Sequence, residues 1–294
     1  GFSNSLKLAC TTADTSLAAD TYASFTQIIE AQNLQSLDYG SSDAKPITLS
    51  FWVKSNKTGT YCIAVEKTDS TLYRFVKEYT ISSANTWEYK TITILPDSNI
   101  KGGAGAIAND NGQGLRVLWS LGHGSDNTGA TDNTWHTGNQ FATNNQVNWM
   151  DSTSNNFYLT GVQVEIGEKA TEFEHEPIGT TLEKCQRYYT KYQAGSAYSY
   201  LGSGQASSAT TARIVFQFPT EMNHTPALEQ SANNTLNVYA TDSEAFSADA
   251  TINNPSTHSS AITCTVSSGL TAKAGASVVA NNSTSAYLAF ESEL

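Results

Sequence analysis

The sequence predicts an all-β protein built as a sandwich or a barrel. Polar and apolar residues alternate along several short runs, and residues typical of turns separate these runs. The composition agrees, because only 15% of the residues are charged while 14 Tyr, 11 Phe and 5 Trp are present. Disordered chains usually combine high charge with few aromatic residues, so this chain is expected to fold.

The clearest alternation lies in the first part of the chain. From Ile47 to Val53, apolar residues occupy every second position, which places Trp52 on the opposite face with Thr48 and Ser50. Further strands are predicted at 61–65, 72–81, 87–94, 115–121 and 157–166. Strands of this length separated by turns are typical of sandwiches and barrels.

Two segments between these strands have no strand pattern. The segment 101–114 is rich in glycine, and the segment 122–156 is long and polar. A connection this long is usually functional or contains short strands. Because it also carries Trp135, His136 and Trp149, it is expected to pack locally.

The pattern changes near residue 178, where a short helix is predicted. Thr180 to Glu183 has the form of a capping box with Thr180 as N-cap. Leu182, Cys185 and either Tyr188 or Tyr189 then share one helical stripe. We therefore divide the chain into a domain at 1–178, a helical joint at 179–192 and a smaller domain at 193–294. The strands predicted in this last domain lie at 213–218, 235–240, 261–266 and 286–290.

Charge and hydropathy exclude two classes of partner. The net charge is −11 with only 16 Lys and Arg, which argues against binding nucleic acid through phosphates. No apolar run approaches the length of about 18 residues that spans a bilayer, so membrane insertion is not expected.

The cysteines predict free thiols and no metal centre. Cys10, Cys62, Cys185 and Cys264 are widely spaced and form no Cys-x-x-Cys pair, so we expect mostly buried thiols and no zinc site. No cofactor is predicted. A structural calcium ion is an open alternative at 110–112, although this segment lacks EF-hand spacing.

No catalytic residue is predicted, and the chain is not expected to be an enzyme. Five glutamates crowd the end of the first domain, but nothing in the sequence places one of them opposite a second acid, as a glycosidase needs. They are Glu165, Glu168, Glu172, Glu174 and Glu176. A solvated acidic segment between the domains is the expected role. A phosphate loop and a nucleophile elbow are both absent.

The tryptophans are the candidate binding residues, since exposed aromatic rings stack on the C–H faces of sugars. Trp52, Trp87 and Trp119 lie in strand runs and are expected in the core. Trp135, His136 and Trp149 lie in the long connection and are the candidate glycan-binding residues. The alternative for these three is local packing within the connection.

Several ordered motifs resemble one known family. The segment 151–177, which contains Thr160-Gly161-Val162-Gln163-Val164-Glu165, is similar to the closing strand of a jelly-roll domain in bacteriophage tail-fibre and tail-tip proteins, especially those of marine phages. The run Cys185-Gln186-Arg187-Tyr188-Tyr189 resembles the joint that follows it in that family. Segments 47–54, 86–94 and 109–112 match upstream, and 216–226 matches more loosely.

The resemblance implies a carbohydrate-binding-module-like jelly-roll at 1–178, followed by the short helix and a second, smaller β-sandwich-like domain. It places the protein at the tip of a virion fibre, made in the host cytoplasm without a signal peptide. Such fibres are usually homotrimers, and Leu182, Tyr188 and Tyr189 would then pack against neighbouring chains. The alternative is packing against the two β-domains of the same chain.

The leading functional hypothesis is therefore a non-enzymatic receptor-binding protein of a tailed phage. Its partners would be other virion tail proteins and a host surface polysaccharide. One alternative is a structural virion component, such as a fibre-shaft or decoration module, that binds viral proteins. Another is a polysaccharide depolymerase, which requires paired carboxylates in a groove.

Overall fold

The computed structural model describes residues 2–293. The chain folds into two compact units, of which the first ends at His175 and the second begins at Glu176. Strands dominate both units, and the all-β fold class is confirmed.

The first unit consists of two antiparallel sheets. Its strands are β1 (Leu6–Ala9), β2 (Tyr22–Glu30), β3 (Ile47–Ser55), β4 (Gly59–Lys67), β5 (Tyr73–Ile81), β6 (Glu88–Ile94), β7 (Gln113–His123), β8 (Thr134–His136) and β9 (Asn156–Ile166). The four-stranded sheet has the order β1-β9-β3-β6, and the five-stranded sheet has the order β2-β7-β4-β5-β8. Helix α1 (Ser98–Lys101) and 3₁₀ turns at Ala31–Leu37, Gly103–Gly105, Ser125–Asn127 and Trp149–Asp151 lie between the strands.

The core of the first unit lies between these two sheets. Phe51 and Val53 of β3 are fully buried, as the alternation predicts, and they share one cluster with Ile63 of β4. Trp119 of β7 is 2% exposed in the same cluster, which confirms its prediction as a core residue. The inward face of each sheet is thus buried in the core, so a binding surface must lie on an outward face or a loop.

The long polar connection covers the outward face of the five-stranded sheet. Phe141 and Ala142 from this connection form a second buried cluster with residues of β4, β5 and β7. The residues contributed by the strands are Cys62, Ala64, Val76 and Leu118. The side-chain carbonyl of Gln146 also accepts a 2.7 Å hydrogen bond from the backbone N–H of Cys62. The connection therefore packs as a cover, and it includes the short strand β8.

A buried carboxylate fixes this cover to the sheet. Glu66 of β4 is fully buried and forms ion pairs with Arg74 of β5 and Arg116 of β7, which are its direct neighbours in the sheet. The Arg74 guanidinium also donates to the carbonyl of Gly138 and lies 4.5 Å from the ring centroid of Phe141. Removing one partner of a buried ion pair typically costs about 3–5 kcal/mol. This cluster therefore couples the sheet to the connection above it.

A buried ammonium fixes the glycine-rich segment in a similar way. Lys67, at the end of β4, is fully buried and donates to the carbonyl oxygens of Ala104 at 2.7 Å and Ala106 at 3.2 Å. Its third acceptor is the carbonyl of Asp69. The segment without strand pattern thus has a defined conformation.

The second unit combines a closed barrel with a small sheet. After helix α2 (Ile178–Gln186), its strands are β10 (Tyr189–Gln193), β11 (Tyr200–Ala206), β12 (Thr211–Gln217), β13 (Ala227–Gln230), β14 (Leu236–Tyr239), β15 (Ser243–Asn253), β16 (Ser259–Val266), β17 (Gly275–Ala280) and β18 (Tyr287–Glu291), with a 3₁₀ turn at Asn233–Thr235. The barrel order is β11-β12-β16-β15-β14-β17, and β17 pairs back with β11. The three-stranded sheet has the order β10-β18-β13. This unit, predicted to be sandwich-like, thus closes its larger sheet and leaves that sheet no edge strand.

The helix between the predicted domains begins and ends at other residues than the sequence predicts. Pro177 occupies the N-cap without a side-chain cap, so Thr180 lies inside α2 and the predicted capping box is wrong. The helix ends at Gln186, and Tyr189 already belongs to β10. Tyr189 therefore pairs with Glu291 of β18 and is not part of a helical stripe.

All four cysteines are free thiols, as predicted. Cys10, Cys62 and Cys264 are buried, whereas Cys185 on α2 is exposed. Burial raises the pKa of Cys62 to about 11 and that of Cys264 to about 12, so both stay protonated near neutral pH. Within residues 2–293, no helix is long and apolar enough to cross a bilayer.

The buried imidazole of His123 predicts an acid-sensitive first unit. This residue ends β7, is 7% exposed, and has no hydrogen-bond partner at either ring nitrogen within residues 2–293. Its ring lies 5.2 Å from that of Tyr22 and 6.0 Å from that of Phe141. Burial lowers the pKa of His123 from 6.5 to about 4. The unfolded chain therefore binds this proton first, and stability is lost as the pH falls from 6.5 to 4.

We expect His123→Phe to weaken this pH dependence, because a shift of this size corresponds to about 3 kcal/mol across that interval. All five tryptophans lie in the first unit, so denaturant unfolding followed by tryptophan fluorescence at pH 7, 5.5 and 4 reports on it. The exposed His258 of the second unit supplies the control variant His258→Gln, which should leave the dependence unchanged. Equal acid sensitivity of wild type and His123→Phe would contradict this role.

Candidate functional site

The outward face of the four-stranded sheet is open and carries two adjoining depressions. They share Trp52, and we call them the first and second lobes of the outer groove. The first lobe has a volume of about 440 Å³ and the second of about 340 Å³. The first is lined by Phe2, Ser3, Asn4, Ser5, Trp52, Lys54, Trp87, Tyr158 and Thr160. The second is lined by Ser50, Trp52, Tyr89, Gly161, Ala170, Thr171, Glu172 and Phe173.

Strand alternation places the aromatic floor of this groove. Because Phe51 and Val53 point into the core, Trp52 points outward between them. The register of β3 with β6 sets Tyr89 directly beside Trp52, and the two ring centroids are 5.3 Å apart at 42°. Trp52 is half-buried and Tyr89 is 44% exposed. Together these rings form an aromatic platform that rigid strands hold in place.

A second cross-strand row borders this platform and contains two lysines. Tyr158 of β9 lies opposite Lys54 of β3 on one side and Lys7 of β1 on the other. The Lys54 ammonium is 4.4 Å from the ring centroid of Tyr158 and 5.0 Å from that of Trp87, while the Lys7 ammonium is 5.8 Å from that of Tyr158. These are cation–π contacts.

A glycine bulge shapes the groove between its two lobes. The register of β3 with β9 shifts between Ser50 and Trp52, where Gly161 adopts a φ of +57°. A Cβ atom on Gly161 would clash with the ring of Phe2, which packs edge-to-face on Phe173 at 4.9 Å. Bulges of this kind redirect side chains next to functional sites. Gly161 therefore has two roles, because it permits the bulge and leaves room for the ring of Phe2.

The acidic segment after β9 forms one wall of the second lobe. Glu165 accepts hydrogen bonds from the hydroxyl and the backbone N–H of Thr171, and the hydroxyl bond is the main cause that lowers its pKa. The side-chain carbonyl of Gln163 accepts a 2.8 Å hydrogen bond from the backbone N–H of Glu174. These bonds hold the segment along β9, with Glu172 facing the lobe.

The three residues predicted to contact glycan occupy different surroundings. Trp135 is 4% exposed and donates a 2.9 Å hydrogen bond to the carbonyl of Leu95, and Trp149 is 2% exposed. Burial leaves neither indole with a free face for a sugar. His136 on β8 is half-buried, its Nδ1 accepts a 3.1 Å hydrogen bond from Gly138, and burial lowers its pKa. Trp135 and Trp149 thus pack locally within the first unit, whereas His136 stays partly exposed.

Conversely, Trp52 and Trp87 were predicted in the core and line the outer groove instead. The signal for Trp52 was present in the sequence, because it lies in phase with Thr48 and Ser50 and out of phase with the apolar residues of β3. The prediction was wrong because it weighed the apolar character of tryptophan above its position in the alternation.

The three predicted interface residues also differ in their surroundings. Leu182 is 53% exposed on α2, a helix in which no residue is buried, and Ile178 on the same helix is 82% exposed. Tyr188 is half-buried, whereas Tyr189 donates a 3.1 Å hydrogen bond to Glu229 across the three-stranded sheet. Of these three residues, Leu182 is therefore the most exposed.

Comparisons with known proteins place few constraints on this chain. No family profile matches the sequence, and no curated protein matches it either. Among solved structures, recombinant discoidin II of Dictyostelium discoideum shares 10% identity over 86% of this chain and 76% of its own, with a TM-score of 0.20. Wild-type discoidin II from Dictyostelium discoideum shares 10% identity over 86% of this chain and 75% of its own, with a TM-score of 0.18. A structure of red clover necrotic mosaic virus shares 10% identity over 99% of this chain and 90% of its own, with a TM-score of 0.15. Likenesses this low carry no argument about function. Within residues 2–293, no group of three or more potential metal ligands lies together.

The bulge at Gly161 predicts energetic coupling to Phe2. Gly161→Ala should destabilise the first unit by about 2 kcal/mol, of which about 1 kcal/mol is backbone strain and the rest displacement of the Phe2 ring. In a Phe2→Ala background only the strain should remain, so a double-mutant cycle in denaturant should give a coupling of about 1 kcal/mol. Gly167→Ala is the control, because Gly167 also has a positive φ but nothing lies within 4 Å of its added Cβ. Strictly additive effects of Gly161→Ala and Phe2→Ala would contradict the contact.

Proposed function

We propose that this protein is a non-enzymatic carbohydrate-binding protein whose outer groove contacts the sugar. The observation that carries the proposal is the Trp52–Tyr89 platform, which lies on rigid strands at the junction of two open lobes. Aromatic faces stack on the C–H faces of sugar rings, and hydroxyl and amide side chains bind the sugar hydroxyls. Asn4, Thr160 and Thr171 line the lobes and supply such groups.

The residues of the groove favour binding over hydrolysis. A glycosidase of the common kind requires two carboxylates about 5–10 Å apart on either side of the scissile bond. Among the residues that line the two lobes, Glu172 supplies the one carboxylate. The depolymerase alternative therefore has the weaker support.

The more specific proposal is a receptor-binding protein at the tip of a phage tail fibre. It is supported by the resemblance of segments 151–177 and 185–189 to tail-fibre proteins, and by a groove that suits a glycan. In this proposal the chain is made in the host cytoplasm, joins other tail proteins in the virion and attaches to a host surface polysaccharide. Several copies on one virion would turn weak individual sites into firm adhesion.

A homotrimer is part of the same proposal. Helix α2 exposes Ile178 and Leu182 four residues apart, so both lie on one side of the helix. A partner chain would bury this stripe. If α2 instead binds a different virion protein, its exposed residues support the alternative that the chain is a structural virion component.

The aromatic platform predicts which variants lose glycan binding. Trp52→Ala and Tyr89→Ala should each weaken binding at least about tenfold, since loss of a stacking contact costs about 1–2 kcal/mol. A glycan array followed by calorimetry on the best ligand measures this. Tyr239→Ala removes an equally exposed tyrosine from the barrel and should leave affinity unchanged. Failure of the wild-type protein to bind any glycan or host cell, or full binding by both platform variants, would refute the proposed function.

The exposed helix predicts the oligomeric state. We expect sedimentation equilibrium to give the mass of a trimer, and Leu182→Glu to shift it toward monomer because a carboxylate would be buried against a partner chain. Val215→Glu places the same charge on an apolar residue that is 52% exposed on β12, and the trimer should persist. A wild-type protein that is monomeric at all concentrations would rule out this assembly.

A further inference from the structure

We propose that the first lobe of the outer groove is an anion subsite that selects acidic sugars, carrying a carboxylate or a sulfate group, over neutral ones. This inference rests on the proposed carbohydrate binding, and it names the chemical class of the ligand. Its basis is the row of alternating lysines and aromatic rings at Lys7, Tyr158, Lys54 and Trp87.

Strand register brings the two ammonium groups to one ring. Lys7 and Lys54 lie directly opposite Tyr158 on its two flanking strands, and both point to its ring, at 5.8 Å and 4.4 Å from the centroid. Two like charges held on either side of one ring repel each other. The ring attracts each ammonium but carries no net charge, so this site holds two positive charges without compensation.

Neither lysine has an ion-pair partner among residues 2–293, although acidic side chains outnumber basic ones by 27 to 16. Four other lysines of the first unit form ion pairs: Lys45 with Asp38, Lys57 with Asp151, Lys77 with Asp132 and Lys90 with Glu88. Lys54 is half-buried, so part of its side chain is withdrawn from water. An ammonium without an ion-pair partner in a groove can form a charge-assisted hydrogen bond with an anionic ligand group.

The two lobes differ in charge, which orients the ligand. The first lobe contains Lys54, whereas the second contains Glu172 and the hydroxyl groups of Ser50 and Thr171. An acidic substituent is attracted to the first lobe and repelled by Glu172. A neutral ring of the same chain can then stack on Trp52 between the lobes. The ligand that fits is a polysaccharide in which an acidic residue adjoins a neutral one.

Because the protein is strongly acidic, a preference for acidic sugars would indicate a specific site. At −11 the molecule as a whole repels polyanions, so non-specific attraction does not explain binding of an acidic polysaccharide. Preference for such a ligand must come from a local cluster of positive charge.

The test compares matched acidic and neutral glycans. The probes are oligogalacturonate and its carboxyl-reduced form, and sulfated carrageenan oligosaccharides and their desulfated form, beside an array of uronate-containing and sulfated polysaccharides. We expect the wild-type protein to bind acidic members at least tenfold more tightly than their neutral counterparts. The carboxylate and sulfate pairs then show which anion the lobe accepts.

The variants separate this inference from the proposed function. Lys54→Met should abolish the preference while binding to neutral members persists, and Lys54→Arg should restore the preference. Trp52→Ala should weaken both classes. Lys169→Met removes an exposed lysine outside the groove and should change neither. Tryptophan fluorescence during unfolding checks that each variant remains folded.

Two results would overturn the anion subsite: equal affinity of the wild type for acidic and neutral members, or an unchanged acidic preference in folded Lys54→Met. In either case, loss of binding in Trp52→Ala would still support carbohydrate binding. If the wild type binds no member of either class, the subsite and the proposed function fail together.

Discussion

The ion pairs of Glu66 with Arg74 and Arg116 decide which surface of the first unit is free. They hold the long connection against the five-stranded sheet, where Phe141 completes a buried cluster. A sandwich has two outward faces, and this protein covers one of them with its own chain. The face of the four-stranded sheet is left open, and that is where the rings of Trp52, Tyr89 and Tyr158 collect.

Local periodicity was sufficient to predict most strands of the first unit, because a half-buried strand shows its burial as alternation along a few residues. It was insufficient for features that depend on distant contacts. The burial of Trp135 depends on Leu95, and closure of the barrel depends on pairing of Tyr200 with Val279. The burial of Trp135 and Trp149 was mispredicted for a related reason: polar segments suggested an exposed loop, whereas the connection packs as a cover.

The groove combines parts with different origins. Its floor is set by the register of β3 with β6 and β9, so its rings are held as firmly as the sheet itself. Its walls come from residues 2–5 and from the segment 170–173, which hydrogen bonds attach to β9. Gly161 connects the two, since the same residue permits the bulge in the floor and the position of Phe2 in the wall. Rigid floors limit the conformational entropy that a ligand must remove on binding.

Alternation along β3 and β9 separates the residues that line the outer groove from those that form the core. Trp52 stands between the core residues Phe51 and Val53, Lys54 between the buried residues Val53 and Ser55, and Tyr158 between Phe157 and Leu159. Exchange of an outward residue leaves the inward packing intact. Single substitutions on the outward face can therefore change the chemistry of the groove with little loss of stability. In this fold, the freedom to change the groove without changing the core is a direct product of the two-residue repeat of the β-strand.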